Sequence, residues 1–246
     1  MTTTTATTLD AEEIAKFSAL AEQWWDEKGK FAPLHRINPV RLKYIRDHAL
    51  AHFEREDVLN TFTGLSALDI GCGGGLVSEP LARMGFSVTG IDGGEKNIKT
   101  ASIHAAQSGL AIDYRAITAE ELAASGAQYD AVFALEIIEH VADVPLFLES
   151  VAKLVKPGGM LVMSTLNRTI KAYGLAIIGA EYVLRWLPRG THDWKKFLKP
   201  HEIALPLQRE GLTLVEMQGL VLNPLSRIWE MSARDLDVNY MMVLKK

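Results

Sequence analysis

From Ala67 to Thr165, short apolar runs alternate with stretches of helical periodicity. Ala67–Ile70 reads as a strand that ends in Gly71-Cys72-Gly73-Gly74-Gly75, and Leu76–Met84 as the helix after it. Phe86–Ile91 is the next strand, ending at Asp92; Glu95–Ser108 is a helix stopped by Gly109. Ile112–Ile117 and Tyr129–Leu135 are a third and fourth strand. Val144–Val155 is a helix closed by Lys156-Pro157-Gly158-Gly159, and Met160–Thr165 a fifth strand. This alternation predicts an α/β fold, a parallel sheet with helices on both faces. The unbroken run Ala131–Leu135 suits a strand covered on both sides. Right-handed crossovers put a ligand beyond the carboxyl ends of such strands. Gly71, Asp92, Thr118, Glu136 and Asn167 all fall there.

The glycine loop and the acid narrow the ligand. Glycine permits positive φ and lets a ligand lie against bare backbone, although an ordinary tight turn would use it too. Asp92 ends the following strand about 20 residues on, where a carboxylate can accept the ribose hydroxyls of a nucleoside. A nicotinamide dinucleotide and S-adenosylmethionine both carry that sugar. The dinucleotide pattern G-x-G-x-x-G requires glycine where this chain has Leu76, and nothing later looks like a dehydrogenase substrate domain. S-adenosylmethionine is the better match.

These motifs, with Lys156-Pro157-Gly158-Gly159, resemble the signature of class I methyltransferases. Further segments resemble the ubiquinone-biosynthesis O-methyltransferases: Trp24-Trp25-Asp26, Pro33–Pro39, Glu136–Val141, Ser164–Arg168, Gly179–Tyr182, Gly190–Asp193 and Asp237–Tyr240. The resemblance implies a Rossmann-like, seven-stranded, mostly parallel sheet with N-terminal helices and a helical insertion after strand five. It implies a single domain: an N-terminal extension (1–60), a cofactor core (61–168), a lid (169–198) and a sheet-completing part (199–246). It implies methyl transfer from S-adenosylmethionine to phenolic or catechol hydroxyls of polyprenylated rings, at two steps of ubiquinone synthesis. It also implies that Gly71, Gly73, Asp92, Arg41 and Leu135 hold the cofactor, Arg41 pairing with the methionine carboxylate through a charge-assisted fork. Thr118 departs from the pattern, standing where many relatives carry an acid near the adenine amine. Pro80, early in a helix, is a candidate for distorting it.

Glu136, Glu139 and His140 follow strand four. On one helical turn they would share a face, and two carboxylates with an imidazole could converge on one cation. Mg²⁺ prefers oxygen ligands, whereas Mn²⁺ or Zn²⁺ accepts histidine more readily; the resemblance favours a divalent metal, Mg²⁺, on these three residues. A phenol with a pKa near ~10 is scarcely ionised at neutral pH, and a Lewis acid would stabilise its phenolate. Glu136 and His140 are the catalytic candidates, with His140 alternatively a direct general base. His35, His192 and Asp193 read more simply as packing or turn residues.

Composition sets limits. With 26 Lys+Arg against 30 Asp+Glu, nothing favours a nucleic-acid partner. One cysteine, Cys72, excludes an intrachain disulfide framework. Met1–Thr8 is a Thr-rich tail without signal-peptide character, pointing to a cytoplasmic protein. Asp10 with Glu13 resembles a capping box opening a helix through Asp26; Asn38-Pro39 is expected to open a second. Thr169–Leu187 reads as an apolar helix, either a lid or an interfacial helix that rests on inner-membrane lipid and admits a polyprenyl substrate. Leu212–Leu222 and Val238–Leu244 supply the last two strands. Membership of a ubiquinone-biosynthesis complex is a further expectation. The competing functions are a methyltransferase for another small catechol or acid, a non-catalytic cofactor-binding partner, and a dinucleotide oxidoreductase.

Overall fold

The computed structural model describes residues 7–175, 177, 193–223, 226 and 228–246. Its N-terminal part comprises α1 (Ala11–Ser18) and α2 (Ala32–His52), linked by a 3-10 turn at Ala21–Gln23. The alternating part follows: β1 (Ser66–Ile70), α3 (Ser78–Arg83), β2 (Ser87–Ile91), α4 (Glu95–Gln107), β3 (Asp113–Arg115), α5 (Ala119–Ala124), β4 (Tyr129–Leu135), α6 (Val144–Leu154) and β5 (Val155–Leu166). After it come the short α7 (Ile170–Ala172), α8 (Pro200–Arg209), β6 (Thr213–Leu222), β7 (Trp229–Ser232) and β8 (Asn239–Lys245).

Among the described residues one sheet carries eight strands, in the order β3-β2-β1-β4-β5-β8-β6-β7. The first five are parallel; β8 runs antiparallel to both of its neighbours, β5 and β6. The seven expected strands are present, and β7 adds an eighth at the edge, paired with β6. The expected alternation of faces holds along β4. Val132 and Ala134 join the core with α6 and α8, while Ala131, Phe133 and Leu135 join the other core with α2 and α3. All five are buried, which is why this strand reads as an uninterrupted apolar run.

Three local expectations are corrected. Asp10 caps α1 by accepting from the Glu12 and Glu13 N–H groups, but Glu13 does not complete a capping box; its carboxylate turns to Lys16 and His140. The second helix starts at Ala32, not at Asn38. Pro33 occupies its first turn, where a missing N–H costs little, and Pro39 is carried inside. Asn38, inside the helix, bonds across to the glycine-loop segment, its amide donating to the Leu76 carbonyl at 2.8 Å. Finally, Lys156–Gly159 does not close α6 but belongs to β5, absorbed by a register shift opposite Tyr129–Ala131.

Pro80 sits in the first turn of α3, where it breaks no helical bond. α5 is an addition to the expected elements. Its signal is present in Thr118 and Glu121, which form a full capping box. α8 is a second addition. Most of the Thr169–Leu187 helix, with Ile178, Glu181, Arg185 and Trp186, and also Arg189 and His192, lies outside the described residues. Among the described residues no helix is long and apolar enough to cross a membrane.

Candidate active site

A cleft opens at the carboxyl ends of β1, β2 and β4. Gly71, Asp92, Asn97 and Thr118 line one side, Glu136, Ile137 and His140 another, and Thr8 to Phe17 with Trp24 the roof. With the solvent in its open mouth included, it takes in about 750 Å³.

On the cofactor side the backbone holds the acid. One Asp92 oxygen accepts from the Gly73 N–H at 3.0 Å. The other accepts from the Gly94 N–H at 2.7 Å and from the Asn97 amide at 3.0 Å. Burial pushes the Asp92 carboxyl up, and these donors pull against it. Gly71 and Gly73 have φ of +71° and +53°, as the tight turn requires. A Cβ at Gly71 would come within 2.6 Å of Ile137, and one at Gly73 within 2.4 Å of Trp24. The bare backbone at 73 and 74 therefore receives the Trp24 ring, a neighbour sequence reasoning did not supply. Thr118 lines the cleft, but its hydroxyl is engaged in capping α5.

Arg41 is buried, at 3% exposure. Its Nη2 donates to Asn38 at 2.7 Å and its Nη1 stands 3.7 Å from Glu136. Nη1 and Nε have no hydrogen-bond partner, so a buried cationic fork is left with donors to spare. Burial lowers the pKa of this guanidinium, while Glu136, Asp69 and Glu139 raise it. Asp69 itself, buried and bonded to Ser78, is pushed up to about 6. Leu135 ends β4, but its side chain packs in the core beside Tyr44 and Ile45; the next residues, Glu136 and Ile137, face the cleft.

The acceptor side is built differently. Glu136 has φ +52°, a left-handed conformation that costs a non-glycine residue about 1–2 kcal/mol. Its N–H donates to the Ser164 carbonyl at 3.0 Å. Its carboxylate accepts from the Ser164 hydroxyl at 2.7 Å and from the Asn239 amide at 3.1 and 3.2 Å. Backbone strain of this kind persists only where the surroundings hold it, as Ser164 and Asn239 do here. Glu139 is buried; one oxygen accepts from Thr165 at 2.8 Å and the other has no partner. Burial, with the Glu136 charge adding to it, pushes Glu139 up to about 8. His140 pairs through Nδ1 with Glu13 at 2.9 Å and meets the edge of Phe17. The histidine's hydrogen bond is the main cause that holds Glu13 down at about 2.

The expected shared helical face for Glu136, Glu139 and His140 is not formed. The helical turn is a 3-10 turn covering Ile138–His140 only, and Glu136 precedes it in a left-handed kink. The three side chains are drawn to different partners, Glu136 to Ser164 and Asn239, Glu139 to Thr165 and His140 to Glu13. Among the described residues no group of three His, Cys, Asp or Glu is clustered to hold a metal ion. The chemistry of the set still suits a cation: two neighbouring carboxylates, one with an orphaned buried oxygen, and an imidazole. His35 is a packing histidine, with Nε2 on the Trp24 carbonyl at 2.9 Å, and Asp193 caps a 3-10 turn. Glu13 and Asn97 enter the site from outside the segments of family resemblance; Trp24, Ser164, Thr165 and Asn239 lie within those segments but carried no assigned role there.

A Rossmann-like sheet with a glycine turn, and one cleft lined by Gly71, Asp92 and Glu136 at the strand ends, is the arrangement of the S-adenosylmethionine-dependent methyltransferase class. Residues 68–163 match the methyltransferase domain family. Two solved structures share the fold at TM-score 0.61. A magnesium protoporphyrin IX methyltransferase from Synechocystis, with bound S-adenosylhomocysteine, is 20% identical, with 86% of each chain covered. An S-adenosylmethionine-dependent methyltransferase from Clostridium acetobutylicum is 12% identical, with 94% of this chain and 98% of that one covered. The ubiquinone biosynthesis O-methyltransferase of Brucella anthropi is 54% identical over 100% of this chain and 99% of its own. That of Caulobacter vibrioides is 57% identical over 97% and 95%. The chain belongs to the ubiquinone biosynthesis O-methyltransferase family, and it is an S-adenosylmethionine-dependent O-methyltransferase.

Proposed function

We propose that this enzyme methylates phenolic hydroxyls on polyprenylated rings, with Asp92, Gly71, Gly73, Arg41 and the Leu135 strand end holding the methyl donor. The observation that carries the reading is one cleft lined by Asp92 and Gly71 together with Glu136 and His140. In this reading Asp92 accepts from the ribose hydroxyls, and the spare donors of Arg41 take the methionine carboxylate. The phenolic oxygen attacks the sulfonium methyl in line; the O–C bond forms as the C–S bond breaks, and the hydroxyl proton passes to the enzyme.

Glu136, Glu139 and His140 would hold a divalent cation, Mg²⁺ by its preference for oxygen, and when bound it would supply Lewis-acid stabilisation of the phenolate. To do so they would exchange their present partners, Ser164, Asn239, Thr165 and Glu13. The Glu13–His140 contact favours a second reading, in which His140 takes the proton directly and Glu13 stabilises the imidazolium. Methyl transfer to a short-chain demethylubiquinol, with and without EDTA, tests both. The first reading expects activity to vanish with EDTA and return with Mg²⁺. Full activity in EDTA, lost in His140→Ala, transfers the step to the second. No transfer to the quinol, with transfer to a simple catechol, overturns the substrate.

The segment after β5 is proposed to admit the prenyl chain, with the enzyme cytoplasmic and resting peripherally on inner-membrane lipid, in contact with a biosynthetic complex. Exposed Ile170, Tyr173 and Leu175 at its start support that reading. Unchanged liposome co-sedimentation after deletion of 169–187 would end it.

A further inference from the structure

Asp92 does not stand alone behind the cleft. The Asn97 amide donates to it, and the Asn97 carbonyl accepts from the Trp24 indole N–H at 3.0 Å. Asn97 and Trp24 are both buried, at 3% and 8% exposure. The orientation of this amide is dictated from both ends. An indole N–H can only donate, so the Asn97 oxygen must face Trp24. An ionised carboxylate can only accept, so the Asn97 NH₂ must face Asp92. Trp24 is itself immobilised: its ring lies on Gly73 and Gly74 and stacks on Phe31 with centroids 3.8 Å apart. The adjacent Trp25 is tied to the same turn by its indole N–H on the Gly74 carbonyl at 2.9 Å.

Two N–H groups, from Gly94 and Asn97, therefore occupy one Asp92 oxygen, and a third, from Gly73, occupies the other. This pins the plane of the carboxylate and leaves one lone pair, on the oxygen that Gly73 bonds, for the cleft. The Gly73 and Gly94 donors are main-chain groups of the two turns. Asn97 is the one side chain among the three, and its aim depends on a residue of the N-terminal segment more than 70 positions away.

We propose that Trp24, acting through Asn97, is a positioning residue that sets the Asp92 carboxylate for the nucleoside sugar. The proposal rests on the reading that Asp92 holds the ribose. It makes the N-terminal segment part of the cofactor site, not only its roof.

The test compares two ligands by calorimetry on the full chain: S-adenosylhomocysteine, and an analogue with hydrogens in place of both ribose hydroxyls. Trp24→Phe keeps a ring on the glycines and removes the donor. We expect it to weaken S-adenosylhomocysteine roughly fivefold and the analogue by less than about twofold, on the scale of a loosened charge-assisted hydrogen bond. In turnover, KM for S-adenosylmethionine rises by the same factor while kcat holds. Asn97→Ala should show the same ligand dependence at roughly tenfold, and decides the matter should Trp24→Phe not fold. Equal weakening of both ligands in these variants overturns the proposal, because a mere packing role does not distinguish the sugars. Equal binding of both ligands by the unaltered protein instead overturns the Asp92 reading beneath it.

Discussion

The two sides of the cleft are made of different material. On the cofactor side, two of the three N–H groups on Asp92 come from the backbone of adjacent turns, Gly73 and Gly94. On the acceptor side, Glu136 is held by side chains of α2, β5 and β8, and His140 by α1. The cofactor side is local geometry written into a short motif. The acceptor side is an assembly of segments that meet only when the sheet closes.

That division can be broken experimentally. The largest effect is expected for Asp92→Ala, which in the proposed reading removes the acceptor for the ribose; S-adenosylhomocysteine affinity should fall about 100-fold by calorimetry. Affinity within about threefold of the unaltered protein would remove the contact. Glu136→Gln should lower kcat about 100-fold on the acceptor side while leaving S-adenosylhomocysteine affinity within about threefold. A parallel loss of cofactor affinity would show that the two sides are not separable. Arg41 stands 3.7 Å from Glu136 and is proposed to hold the methyl donor, so Arg41→Lys sharpens the comparison: the charge stays but the fork is lost. KM for S-adenosylmethionine should rise about tenfold, with a smaller fall in kcat.

The smallest effect belongs to a control at the other end of the strands. Asp130 accepts from the Ser66 N–H at 2.8 Å, the Ser66 hydroxyl at 2.6 Å and Lys156 at 2.9 Å. Burial alone would raise this carboxyl; the Ser66 and Lys156 donors outweigh it and hold the pKa below the ordinary value. A depressed folded-state pKa contributes stability that is present above the unfolded pKa and lost as pH falls through the folded one. Urea midpoints should therefore converge between the unaltered protein and Asp130→Asn as pH drops below about 4, with both sides of the cleft unaffected at neutral pH.

The legible part of the molecule is the part with local signals. β4, α4, α6 and the strand ends at Gly71 and Asp92 come close to their expected bounds, because periodicity, glycine stops and strand-end residues operate within a few positions. The less legible parts are governed by distant partners. α2 begins at Ala32 because Phe31 stacks on Trp24 and Asn38 bonds the Leu76 carbonyl, neither of which helical periodicity reveals. Lys156-Pro157-Gly158-Gly159 looks like a stop, yet β5 takes it in because β4 offers a shifted register. Glu136, Glu139 and His140 stand out in the sequence, but their arrangement does not, since a single left-handed residue turns Glu136 away from the expected face.

Order along the chain was enough to determine a doubly covered parallel sheet, a sharp glycine turn, and an acid placed for a nucleoside, because each depends on residues a few positions apart. Only folding decided who shares the cleft: that Trp24 lies on the glycines, that Glu13 meets His140, and that Asn239 and Ser164 hold Glu136. Those contacts join positions tens to more than a hundred residues apart, and the hydrogen bonds that define them exist only once burial has removed water as the competing partner.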